Sequence, residues 1–110
     1  MPNTPPVSEI KANLFRVLGH PARVRILELL RDGELTVGAL QAGLELNSSG
    51  TSQHLAALRR VGLVSPRRDG TSVYYTVEDE CVFELLAAGR EIITRRLATQ
   101  QSLLRELSSE

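Results

Sequence analysis

The sequence predicts a mainly α-helical domain carrying one small β-hairpin. Three observations predict it. Apolar residues recur at helical spacing over most of the chain. An Asp69-Gly70 pair, a strong two-residue turn signal, stands between Leu63-Val64 and the β-rich run Ser72 to Val77. Between Thr36 and Tyr75 two short helical stretches and a tight turn precede that hairpin, the order of a helix-turn-helix with a wing. The chain has 110 residues, room for one domain.

Residues 1–9, with Pro2, Pro5 and Pro6, read as a flexible arm, and residues 10–110 as one folded domain of about five helices. Ile10, Leu14, Val17 and Leu18 set the first helix, which ends near Gly19. Pro21 suits the first position of the second helix, where its missing N–H costs nothing. That helix runs to about Arg31, with Val24, Ile26, Leu27 and Leu30 as its core set and Gly33 as terminator. Thr36 caps a short third helix holding Val37, Leu40 and Leu44, and Asn47 caps a fourth from Ser48 to about Val61.

Within the fourth helix Thr51, Leu55 and Leu58 share one face, which predicts burial. Ser49, Gln53, Ala56 and Arg60 fall opposite, with Ser52 beside them. Arg67 and Arg68 lie in the hairpin. The last helix starts near Asp79 and reaches about Leu107, with an apolar stripe through Val82, Leu86, Ile93, Leu97 and Leu104. That stripe is longer than one small domain can cover, so it implies a partner helix, most simply a second copy of the chain.

Composition narrows the function. Formal net charge is zero, but the charge is unevenly spread. Lys11 to Tyr75 holds nine basic and five acidic residues; Thr76 to Glu110 holds four and seven. A basic middle suits phosphate and an acidic end suits a partner. The single Cys81 excludes an intrachain disulfide and a cage of several cysteines; among Asp79, Glu80 and Glu84 it reads as a buried structural thiol. No apolar run approaches the ~18 residues of a membrane span, so a cytoplasmic protein without membrane contact is expected. There is no Gly-rich phosphate loop, and His20 and His54 lie on separate elements without a carboxylate motif, so no enzyme is expected. His20 reads as a cap or surface residue.

Three stretches resemble the ArsR/SmtB family of bacterial winged-helix regulators. They are Leu18-Gly19-His20-Pro21-Ala22-Arg23 through Leu30; Ser52-Gln53-His54-Leu55 through Gly62-Leu63-Val64; and Gly70 with Val73-Tyr74-Tyr75. Occurring in order, they cover about residues 10 to 107. The resemblance implies a winged helix-turn-helix homodimer joined through its first and last helices, binding double-stranded DNA of dyad symmetry, most simply as a repressor. Expected DNA contacts are Ser48, Ser49, Ser52, Gln53, Arg60, Arg67 and Arg68, and the resemblance implies that His54, inside the recognition-helix signature, is packed or hydrogen-bonded. Expected dimer residues are Leu14, Leu86, Ile93, Leu97 and Leu104.

The family's metal sites are not intact here. The stretch Leu35 to Leu40 lacks the Cys-x-Cys pair of one group. In another group's Asp, His, His, Glu set only Asp79 matches, the other positions falling on Cys81, Ile92 and Arg95. A non-standard nickel or zinc site using Asp79, Cys81 and Glu84 is the remaining metal candidate. An effector protein is a further expected partner. The competing reading is a winged-helix module that binds proteins and not DNA, which would have no use for the Ser/Gln face or the hairpin arginines.

Overall fold

The computed structural model describes residues 4–44 and 48–109. Among them are five α-helices and a three-stranded antiparallel sheet, a winged helix-turn-helix. The elements are α1 (Val7–Leu18), α2 (Pro21–Leu29), β1 (Leu35–Thr36), α3 (Val37–Leu44), α4 (Ser48–Arg60), β2 (Val64–Asp69), β3 (Ser72–Val77) and α5 (Cys81–Ser108). The chain forms two compact units, one ending at Asp79 and one beginning at Glu80.

Helix α1 starts at Val7, inside the stretch expected to be an arm, because Pro6 accepts from the amides of Glu9 and Ile10 and so starts the helical ladder. His20 caps α2, its Nδ1 accepting from the Ala22 amide at 3.1 Å, and Pro21 takes the first helical position. Helix α2 ends at Leu29, not Arg31; Leu30 to Asp32 tighten into a 3-10 turn that Gly33 closes at φ 136°. Thr36 caps α3 as expected, its hydroxyl accepting from the Ala39 amide at 3.1 Å. Asn47, the expected cap of α4, lies outside the described residues.

The core of the first unit is aliphatic. Leu18, Ile26, Leu27, Leu30, Leu40, Leu55, Leu58 and Val64 are buried, with Ala57 beside them; Val24 is half-buried. Thr51 is fully buried, and among the described residues no buried side-chain polar atom lacks a partner.

The sheet order is β1-β3-β2. Strand β1 has only two residues, pairing Leu35 with Tyr75 and Thr36 with Tyr74, and sequence reading did not foresee it. In the hairpin Arg67 stands opposite Tyr74 and Asp69 opposite Ser72. The two-residue loop is therefore Gly70-Thr71, one position later than the expected Asp69-Gly70. Gly70 at φ 64° supplies the left-handed residue that such a loop needs. Pro66, which cannot donate to a ladder, sits on the edge strand β2.

The second unit is the single long helix α5. It begins at Cys81, two residues after the expected Asp79. Ile92, Ile93, Leu97, Leu103, Leu104 and Leu107 are all exposed on it.

Candidate nucleic-acid interface

Helix α4 sorts its side chains as its spacing predicts. Thr51, Leu55 and Leu58 are buried, while Ser49, Ser52, Gln53, Ala56 and Arg60 are exposed. Ser48 opens the helix. Burying one face holds the other outward, with small and polar groups at its N-terminal end. Such a face can approach base edges without a large apolar cost, and Gln is suited to bidentate reading of adenine. At the far end Arg60 lines an open groove of about 390 Å³ with Asn13, Val17, Arg23, Ala57 and Val61. The helix then stops sharply. Gly62, at φ 79°, donates to the Arg59 carbonyl at 2.9 Å, and Leu63 donates to Leu58 at 3.0 Å.

The middle of α4 is fastened to the start of α2. The rings of His20 and His54 lie 4.3 Å apart, tilted by 51°. Arg23 Nε donates to His54 Nδ1 at 3.2 Å, and its Nη1 donates to the Val17 carbonyl at 3.2 Å. Partial burial, and then the charges of His20 and Arg23, hold the His54 pKa below the usual histidine range. His54 is thus hydrogen-bonded, as expected, and His20 is a cap. Their mutual contact was not foreseen, because they lie far apart in the sequence.

The wing places its two arginines on opposite faces of β2. Arg67 forms a forked pair with Glu34, Nε to Oε2 at 3.0 Å and Nη2 to Oε1. Its guanidinium carbon lies 4.9 Å from the centre of the Tyr74 ring. The hydrogen bond from Arg67 holds the Glu34 carboxyl below its usual pKa, and the same bond holds the guanidinium charge more firmly. Arg68 is exposed, with no hydrogen bond or ion pair among the described residues.

Cys81 corrects an expectation. It is exposed, not buried, with its thiol sulfur 3.8 Å from Glu84 Oε2. It stands one residue before the stripe residue Val82, which turns it about 100° round the helix from that position. Among the described residues no three His, Cys, Asp or Glu side chains cluster as a metal site would, so Asp79, Cys81 and Glu84 do not form one within this chain. No helix of the described residues is long and apolar enough to cross a membrane.

Residues 20–65, from the cap of α2 to the start of the wing, match the family model for bacterial regulatory proteins of the arsR family. Over 103 residues the chain is 42% identical to the uncharacterized HTH-type transcriptional regulator Rv0081 of Mycobacterium tuberculosis, covering 93% of this chain and 90% of that one. The chain belongs to the ArsR family. It is a DNA-binding transcriptional regulator of ArsR type. The transcriptional activator HlyU of Vibrio cholerae is 45% identical over 76 residues, 66% of this chain and 70% of HlyU. Among solved structures, the crystal structure of Rv0081 superposes with a TM-score of 0.80 over 88% of this chain and 98% of that one. A homodimeric winged helix-turn-helix DNA-binding domain, Mb0332 of Mycobacterium bovis, superposes with a TM-score of 0.74 at 31% identity, covering 88% of this chain and 94% of that fragment.

Proposed function

We propose that this ArsR-type regulator works in the cytoplasm as a homodimer that reads duplex DNA of dyad symmetry and represses by occluding a promoter. The exposed Ser/Gln face of α4, held outward by the buried Thr51, Leu55 and Leu58, carries the reading. Ser48, Ser49, Ser52 and Gln53 meet base edges or phosphates from the start of the helix, Arg60 meets phosphate from its end, and the wing adds arginine. Two α4 helices related by a dyad would enter successive major grooves about 34–36 Å apart.

Dimerisation is supported by the exposed stripe of α5, in which Ile93, Leu97 and Leu104 seek cover, together with half-buried Leu86 there and Leu14 on α1. The homodimeric Mb0332 domain gives the precedent. HlyU bears the name of a transcriptional activator, so activation is the competing sign for this architecture. An effector, whether a protein or a metal held between subunits by Asp79, Cys81 and Glu84, would act by favouring one disposition of the two reading heads.

The test is selection from random duplexes by metal-stripped protein, repeated with nickel and with zinc. A palindrome with half-sites one helical turn apart is the expected product. A metal-dependent change in enrichment would assign the effector, and no enrichment in any condition would leave a protein-binding module as the better description.

A further inference from the structure

The wing of this chain carries a feature that phosphate binding does not explain. Arg67, Tyr74 and Thr36 lie directly opposite one another across β2, β3 and β1. Residues so aligned share one face of a sheet, and Glu34, in the loop just before β1, is reached from that face. From β2 the Arg67 side chain runs over the Tyr74 ring of β3 and ends in a two-point fork on Glu34, beside β1. One arginine side chain therefore reaches from β2 across β3 to the residue before β1. Asp69 Oδ2 stands 3.9 Å from its remaining terminal nitrogen. Carboxylates stand at both edges of the guanidinium and its carbon lies over an aromatic ring, the arrangement in which arginine is least replaceable by lysine.

Arg68 differs in each respect. It alternates to the face that carries buried Val64, which is the side of the sheet turned toward the helices. Near the hairpin tip, where no core lies beneath it, it remains exposed and unpaired among the described residues.

Charge separates the two. If Arg67 left Glu34 for a phosphate, a carboxylate would be exposed beside the DNA backbone with nothing to neutralise it. Kept together, the Arg67–Glu34 pair is neutral and, with Asp69 at the other edge of the guanidinium, offers no net positive charge to a phosphate and releases no counterion on binding.

We propose that Arg67 is the positioning residue of the wing, held by Glu34 across the sheet, and that Arg68 alone is the wing's phosphate ligand. This rests on the DNA-reading function proposed above and assigns roles within it.

The experiment uses the full chain and the duplex that the wild-type protein selects, with affinity measured over a series of salt concentrations. Arg68→Ala should make the slope of log affinity against log salt shallower by about 0.9 for each phosphate that is no longer neutralised, about 1.8 for two wings. The charge-neutral double variant Glu34→Ala with Arg67→Ala should bind more weakly at every salt concentration and keep the wild-type slope. Arg67→Glu alone should lose binding, and Glu34→Arg added to it should restore binding by rebuilding the fork with reversed polarity. Thermal midpoints near wild type verify that each variant is folded. A double-alanine slope that falls as far as that of Arg68→Ala would overturn the proposal, as would a folded charge-swap protein that binds no better than Arg67→Glu. If the wild-type chain selects no duplex, the DNA-reading function fails instead, before any variant is compared.

Discussion

Because Arg23 donates to Nδ1 of His54, the neutral imidazole carries its proton on Nε2. Protonating Nδ1 would remove that acceptor and set a positive ring against Arg23 and His20. The folded-state pKa of His54 is depressed, so its contribution to stability is present above the unfolded value of about 6.5 and is lost as pH falls from there through the folded value. We expect the thermal midpoint of the wild-type protein to drop as pH falls below about 6.5, and to drop less in His54→Gln. At neutral pH that variant should be less stable by about 1 kcal/mol, the net worth of one such hydrogen bond, measured by urea unfolding. A variant as pH-sensitive as wild type would show that another group governs the acid limb. That His54 is packed or hydrogen-bonded was legible through the family resemblance of the Ser52-Gln53-His54-Leu55 stretch, not through its spacing. Its partners were not legible, since Arg23 is 31 positions away and no local pattern links them. Cys81 was misread for a related reason. Its acidic neighbours describe its charge environment, whereas its exposure follows from its angle on a helix whose first residue was placed two positions too early.

The end of α4 shows how a helix is stopped and how its core face is held. Gly62 takes a left-handed conformation while its amide and that of Leu63 close the last carbonyls of the helix. No atom lies within 4 Å of where a Cβ would be, so the penalty for Gly62→Ala is conformational and not steric. We expect a loss of about 1–2 kcal/mol, read as a lower urea midpoint with an unchanged slope. Truncating Leu58, fully buried on the opposite side of α4 from the exposed Gln53, should cost more, about 2–5 kcal/mol for Leu58→Ala. An equal loss in the two variants would contradict the assignment of Leu58 to the core. The helices were legible because each has its own caps and period. Strand β1 was not: two residues have no period, and Leu35-Thr36 becomes a strand only by pairing with Tyr75 and Tyr74, some forty positions on. The hairpin was legible, but Asp69 joined the ladder opposite Ser72, and the loop moved one residue along.

Helix α5, uncovered along much of its length, sets the expectation for assembly. Six large apolar side chains exposed on one helix are poorly suited to water, each representing about 1.5–3 kcal/mol of unrealised burial. Replacing Ile93 and Leu97 together by Glu should convert a dimer to a monomer at micromolar concentration in sedimentation equilibrium while leaving helix content largely intact. Half-site DNA binding should then persist and palindrome binding weaken by at least tenfold, about 1.4 kcal/mol. A dimer that survives the change would place the interface elsewhere. The apolar excess was legible in sequence, as was the division between a basic middle and an acidic end. Which wing arginine is engaged within the chain was not, because Arg67 and Arg68 are adjacent and chemically identical. Only the alternation of a strand and the arrival of Glu34 from a distant loop tell them apart.

Thr36 belongs to two elements at once: its backbone pairs with Tyr74 in the sheet and its hydroxyl caps α3. The link between reading heads and wing thus has no slack at this point. Extra residues spliced in at Gly70-Thr71 would lengthen only the hairpin tip. A single residue inserted between Glu34 and Thr36 would break the Glu34 register or the helix cap, and either would misplace the wing. Among natural chains of this architecture, length variation should accumulate at the tip and be absent from the three residues before α3.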